Sequence, residues 1–160
     1  MKARIARKAE DLATRMTSEP TMHWIYGVRI DEEDGDFVVT VRDLPEVVTS
    51  GDSREEALEL AKDAIEVVIA KWIEHERELP PPSQVRRAEQ AVALAPHLAA
   101  KASVYALWKK AGISKRELAR RIGRQETEAR RILDPRFGTK LEQLGEAAEA
   151  LGGKLVVGLA

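Results

Sequence analysis

The 160-residue chain contains no cysteine. That absence excludes disulfides, thiolate metal sites and cysteine nucleophiles together. No apolar run approaches the length of a membrane span. The three histidines, His23, His75 and His97, are scattered and lack a metal-ligand spacing. There is no glycine-rich phosphate loop, no nucleophile elbow and no matched acid pair. No internal repeat or low-complexity stretch is present. The N-terminus, "MKARIARKAEDLATRMTSEP", is charged throughout and lacks the hydrophobic centre of a secretory signal. These absences leave no positive case for an enzyme, a metal or a cofactor, and they point to a cytoplasmic protein. What is present is an apolar fraction of 44%, enough for a packed core. The length suits one medium domain or two small ones.

The net charge of −1 conceals a strong polarity. Residues 1–21 hold 5 basic and 3 acidic side chains, net +2. Residues 22–80 hold 6 basic and 16 acidic, net −10, and residues 81–160 hold 15 basic and 8 acidic, net +7. An acidic segment followed by a basic one suggests two domains with different partners.

The pattern along the chain agrees. Pro20 ends a basic, helix-like stretch. "HWIYGVRI" alternates, putting Trp24, Tyr26, Val28 and Ile30 on one strand face. "DEEDGD" reads as an acidic turn around Gly35. "FVVTV" resumes with Phe37, Val39 and Val41 on one face, closing a hairpin. "EVVT" is a third short apolar run. Ser53 with Glu56 forms a capping box. From there Ala57, Leu58, Ala61, Ile65, Val68, Ile69 and Trp72 recur at helical spacing to about Glu78. The order strand, strand, strand, long helix predicts a small α+β domain over 22–80. "LPPPS", Leu79 to Ser83, is a stiff break where the charge changes sign. Residues 81–95 read as a linker or, through "VRRAEQAVAL", one more strand. From Pro96 the pattern is helical, with candidates at 97–111, 115–122, 125–133 and 140–151. Ser114 with Glu117, and Thr139 with Glu142, predict two more capping boxes. "KLVVGL" reads as a terminal strand.

Two clusters carry candidate chemistry. Asp31, Asp34 and Asp36 crowd one turn, but the register of a calcium loop does not fit them, so a polar hairpin turn is the reading. At 114–133 the spacing is that of a helix-turn-helix. Ala119 is the small residue inside the first helix, and Gly123, four residues on, suits a turn with positive φ. Leu118, Ile122 and Ile132 supply apolar anchors. Arg124 and Ala129 depart from the pattern, which favours an apolar residue and a larger aliphatic one. The outward positions are Gln125, Thr127, Glu128, Arg130 and Arg131, with Glu126 beside them. Together with Lys115 and Arg116 at the start of the first helix, these are the candidate DNA contacts. A small helical bundle without a nucleic-acid role is the competing reading.

"FVVTVRDLPEVVTSGDSREEALELAKDAIE" resembles the antitoxin family called HicB. The family pattern is a strand ending in Asp-Leu-Pro, here Asp43-Leu44-Pro45, then a short strand. Gly51-Asp52-Ser53-Arg54-Glu55-Glu56-Ala57 follows at the start of a long helix. The helix-turn-helix tail of one family branch is similar to "YALWKKAGIS" and "ILDPRFGTKLEQLGEAAEALG". Glu46 replaces a usual glycine and Arg42 a residue that is often proline. The first 21 residues have no family counterpart and read as an added helix or an upstream start.

The resemblance implies a partial ribonuclease-H-like βββα fold for 22–80 and an all-α helix-turn-helix domain for 96–160. It implies no catalysis. It implies binding of a small basic RNA-cleaving HicA-type toxin, with Asp34, Asp36, Asp43, Glu46 and Asp52 as the acidic contact residues. It also implies repression of the protein's own operon as a homodimer or higher oligomer on operator DNA, away from any membrane. A stand-alone regulator whose acidic domain oligomerises or senses a ligand is the alternative, and a residual nuclease a third.

Overall fold

The computed structural model describes residues 21–159. The expected N-terminal helix lies outside the described residues. The elements run β1 (Ile25–Glu33), β2 (Asp36–Val41), β3 (Val48–Gly51), α1 (Arg54–Glu74), β4 (Gln90–Ala93), α2 (Pro96–Ala111), α3 (Lys115–Arg121), α4 (Glu126–Leu133) and α5 (Leu141–Ala150). The chain is mixed α+β.

The strands form one antiparallel sheet in the order β3-β2-β1-β4. Alternation in sequence sets its register. Val28 lies opposite Val41 and Ile30 opposite Val39, so the two apolar rows fall on the same face. Helix α1 covers that face with Ala57, Ala61, Ile65, Ile69 and Trp72, a buried stripe at helical spacing. The β1–β2 turn is tighter than the acidic run suggests. Asp31 to Glu33 continue the strand, and only Asp34 and Gly35 turn. Both have positive φ, 53° and 93°, which suits a two-residue hairpin between right-twisted strands.

The Gly-Asp-Ser stretch has a local explanation. A Cβ on Gly51 would come within 2.7 Å of the Ala57 backbone nitrogen, so glycine alone lets β3 run directly into α1. Ser53 Oγ then accepts from the Glu56 N–H at 3.1 Å. The Glu56 carboxylate reaches back to the Asp52 N–H at 2.8 Å. The expected capping box is present, extended by one residue.

The segment after α1 is irregular through the prolines and then enters the sheet as β4, pairing Tyr26 with Val92. Within 81–95, Gln90–Ala93 form the strand and the rest is irregular. Helices α2 to α5 pack on one another, and α2 packs on α1. Their core is continuous with that of the sheet half, residues 21–95. Two part-buried bonds cross the seam: Trp24 Nε1 donates to Ser103 Oγ at 2.8 Å, and the Tyr105 hydroxyl donates to the Arg77 carbonyl at 2.6 Å.

Two expectations fail toward the end of the helical half, residues 96–159. Thr139 does not cap α5. Lys140 occupies the N-cap without a side-chain bond. The Thr139 hydroxyl is buried and accepts from Lys101 Nζ at 2.8 Å, so it is unavailable to the helix. The closing "KLVVGL" forms no strand. The sheet ends at β3 and β4, and this segment joins neither.

Candidate functional site

Helices α3 and α4 are joined by the short turn from Ile122 to Gln125. Ser114 Oγ accepts from the Glu117 N–H at 3.0 Å and starts α3. Glu117 does not complete the predicted box, because its carboxylate is held by Arg120 at 2.7 Å and Arg121 at 3.1 Å. Those two guanidiniums hold that carboxyl down at about 2. Leu118 and Ala119 are buried, and Gly123 turns with φ 64°. The Arg124 N–H closes the turn on the Ala119 carbonyl at 2.9 Å. Ala129, Ile132 and Leu133 seat α4 on the core.

Arg124, the departure from the apolar pattern, reaches Glu146 of α5 at 2.8 Å and Glu128 at 3.5 Å. It ties the turn to α5 by charge rather than by an aliphatic contact. Glu128 has a second task that the pattern around Gln125 could have suggested: it accepts from the Gln125 N–H at 3.3 Å, capping α4.

The outward surface separates the predicted residues. Gln125 and Thr127 are exposed at the start of α4. Glu126 is paired with Arg130 one turn later. Arg131 has no ion-pair partner among the described residues, and its guanidinium lies 5.5 Å from the Phe137 ring centroid. Arg116 is exposed and likewise without a salt bridge among the described residues. Lys115 stands apart: its ammonium is paired with Glu76 beyond the end of α1. It lines a polar cleft of about 280 Å³ with Glu74, Glu76, Arg130 and Arg136.

A cation that the charge pattern missed lies beneath α4. Lys101 is 1% exposed. Its ammonium donates to the carbonyls of Arg131 at 2.8 Å, Ile132 at 3.1 Å and Asp134 at 2.7 Å, besides the Thr139 hydroxyl. A positive charge against the carbonyls at a helix C-terminus bonds acceptors that the helix leaves over and complements its dipole. Burial lowers its pKa to about 8, opposed by the Asp134 carboxylate. The signal for it was present in sequence: Lys101, Val104, Tyr105 and Trp108 form one stripe at helical spacing.

The five acidic candidates divide between the two ends of β2. Phe37 pairs with Gly51, so Asp36 and Asp52 flank the same end of the sheet as the Asp34 turn. These three are exposed, with no salt bridge among the described residues. The other two are engaged. Asp43 accepts from the Ser83 hydroxyl at 2.6 Å and from its N–H at 2.8 Å. Glu46 accepts from Arg77 at 2.9 Å and Trp72 Nε1 at 3.2 Å, and the Arg77 bond holds its carboxyl below the usual range. Arg42, the other departure from the family pattern, bonds Glu89 at 3.1 Å and the Gln84 carbonyl at 3.2 Å. Asp43, Arg42 and Glu46 thus clip the stretch from Arg77 to Glu89 onto the sheet. No group of acids and histidines among the described residues is arranged to hold a metal. No helix among them is long and apolar enough to cross a membrane.

A family model described as HicB_like antitoxin of bacterial toxin-antitoxin system matches residues 24–103. The antitoxin HicB 2 of Photorhabdus laumondii subsp. laumondii is 34% identical over 130 residues, 81% of this chain and 92% of the relative. Antitoxin HicB of Pseudomonas fluorescens is 32% identical over 133 residues, covering 82% of this chain and 91% of its own. Antitoxin HicB of Escherichia coli K12 is 31% identical over 122 residues, 76% of this chain and 88% of its own. Residues 1–103 make up less than two thirds of the chain, so each of these matches extends into the helices beyond Ser103. The residues that produce the Gly51 crossover and the Ser53 cap lie inside the matched stretch, and the chain belongs to the HicB-like antitoxin family of bacterial toxin–antitoxin systems.

Proposed function

We propose that this protein neutralises a small, basic, HicA-type RNA-cleaving toxin with its sheet half and represses its own operon with its helical half. The observation that carries the reading is the spatial separation of two chemically opposite surfaces on one continuous core. The toxin-facing surface is the hairpin end of the sheet, with Asp34, Asp36 and Asp52. Exposed acids without internal partners attract a basic protein over distance and speed its association. Asp43 and Glu46 contribute indirectly, by holding the proline stretch against the sheet.

The DNA-facing surface is α3–turn–α4, acting as a helix-turn-helix. Gln125 and Thr127 face base edges, Arg131 holds guanine or phosphate, and Arg116 holds phosphate. Glu126 serves by aiming Arg130 along the helix. Lys115 acts mainly as a tether to the sheet half. One α4 presents about two turns, so a specific site calls for a homodimer on paired half-sites. The non-catalytic reading follows from the family and from the use of the acids as recognition groups.

The test is co-expression with the reading frame adjacent to this one. Copurification of a small basic protein, together with a mobility shift on the upstream promoter region, supports the proposal. A promoter shift without any copurifying protein would instead favour a stand-alone regulator.

A further inference from the structure

Phe137 is the one exposed aromatic ring among the described residues, 46% exposed. Trp24, Tyr26, Trp72, Tyr105 and Trp108 are buried, and Phe37 is half-buried. A single exposed apolar side chain is ordinary. This one, however, is held in place. The Phe137 N–H donates to the Asp134 carbonyl at 3.2 Å, closing a turn with Pro135 at its second position. The Asp134 carboxylate accepts from the Arg136 N–H at 2.9 Å. Lys101 Nζ anchors both ends of the stretch, through the Asp134 carbonyl at 2.7 Å and the Thr139 hydroxyl at 2.8 Å. The ring therefore projects from a pinned backbone, and it meets α4 at Arg131, whose guanidinium carbon lies 5.5 Å from the ring centroid.

The two arginines in the last turn of α4 are thus oriented by different chemistry. Arg130 donates from Nε and Nη2 to one Glu126 oxygen, which occupies those donors and offsets the charge. Arg131 has no ion-pair partner among the described residues and is exposed. A ring attracts a cation through its quadrupole, yet it carries no net charge and no lone pairs. It can orient the guanidinium while leaving the N–H donors and the full charge available to a planar acceptor. An exposed arginine with no such contact loses rotamer freedom when it binds. One already held loses less.

We propose that Phe137 is a positioning residue for Arg131, its ring holding the guanidinium ready for guanine or phosphate. The assignment rests on the proposed role of α4 in DNA binding.

The test measures promoter binding by fluorescence anisotropy for full-length wild type, Phe137→Leu, Phe137→Trp, Arg131→Ala and the Phe137→Leu/Arg131→Ala double variant. Phe137→Leu keeps an apolar side chain but removes the quadrupole. It should weaken binding about two- to fivefold, the range a surface cation–π contact supports. Phe137→Trp should bind at least as well as wild type, since tryptophan is the best ring for a cation. In the Arg131→Ala background, Phe137→Leu should weaken binding no further. The thermal midpoint should be the same for Phe137→Leu and wild type. An equal loss in both backgrounds would show that Phe137 acts without Arg131 and would overturn the proposal. So would a loss that comes with a changed sedimentation coefficient, because the ring would then belong to an interface between copies. If Arg131→Ala weakens binding and Phe137→Leu does not, this assignment alone fails. If wild-type protein does not bind the promoter, the DNA-binding reading fails and takes this assignment with it.

Discussion

The two halves handle their charge in opposite ways. The basic half has the larger apparent resource on its α3–α4 surface, yet most of those cations are committed to neighbouring carboxylates: Arg120 and Arg121 to Glu117, Arg124 to Glu146, Arg130 to Glu126, Lys115 to Glu76. Arg116 and Arg131 remain. The acidic half leaves Asp34, Asp36 and Asp52 without such partners among the described residues, at one end of its sheet. Net charge per segment therefore misstates what each surface offers. On the proposed reading, the acidic surface would attract a basic partner from a distance. On the same reading, the basic surface would first exchange weak exposed ion pairs for contacts to a nucleic acid.

The first way to break this comparison is to ask whether the halves are separate at all. Ile65→Ala in the sheet half and Leu144→Ala in the helical half each delete a fully buried side chain. Each should cost about 2–5 kcal/mol. Denaturant unfolding followed by tryptophan fluorescence and by circular dichroism should show one coincident transition for both, because the core is shared. Two resolved transitions would mean that the seam does not couple them.

Next in size is Lys101→Met. It removes the ammonium from three backbone carbonyls and a threonine hydroxyl, leaving the Ile132 carbonyl with no other non-helical donor among the described residues, a loss of about 1–3 kcal/mol of stability. Promoter binding should weaken with it while toxin binding at saturating protein stays intact. Equal loss of both would show that Lys101 supports the whole fold rather than α4.

Arg131→Ala should weaken promoter binding by about 1–3 kcal/mol if it reads a base. If it holds only phosphate, binding should fall on all sequences and the salt slope should shrink by about one. Arg130→Ala should do less, since its partner Glu126 is then freed to repel phosphate but no base contact is lost. A mobility-shift assay ranks the two, and a larger effect for Arg130 would reverse the assignment drawn from pairing.

Neutralising Asp34, Asp36 and Asp52 together, each to asparagine, should slow toxin association by about tenfold at low salt with little change in dissociation. The difference should shrink as salt is raised. Unchanged association kinetics would move the toxin contact elsewhere.

The smallest expected effect is on acid stability. The Glu117 carboxyl, held at about 2 by Arg120 and Arg121, is lowered from its ordinary value. A lowered pKa adds stability above the unfolded value that is lost as pH falls through the folded one. Wild-type protein should therefore lose slightly more stability than Glu117→Gln between about pH 4.5 and 2, in thermal melts at matched ionic strength. Parallel melting curves for the two proteins would show that the pair contributes nothing.

Much of the fold was legible because it rests on local periodicity. "HWIYGVRI", "FVVTV" and the stripe from Ala57 to Trp72 declare their faces without reference to distant residues. What was not legible depends on residues far apart in sequence. Thr139 and Glu142 satisfy the capping pattern, but the hydroxyl is taken by Lys101, 38 residues earlier. Arg42 and Glu46 look like departures from a family pattern until their partners, Glu89 at a separation of 47 and Arg77 at 31, are known. At the candidate site, sequence placed Gln125, Thr127, Arg130 and Arg131 on the outward side of α4, and all four are exposed. It could not separate Arg131 from Arg130, because pairing depends on rotamers as well as spacing.

The position of β4 has a consequence in time. Strand β1 finds β2 at once across a two-residue turn, but its other edge waits for Gln90 to Ala93. Roughly 60 residues separate them, about 3–12 s of synthesis at 5–20 residues per second. During that interval the nascent chain presents an open strand edge, the kind of surface on which other chains can template themselves. Arg29 and Asp31, paired with each other on β1 at 2.7 Å, place charge along that strand while it waits.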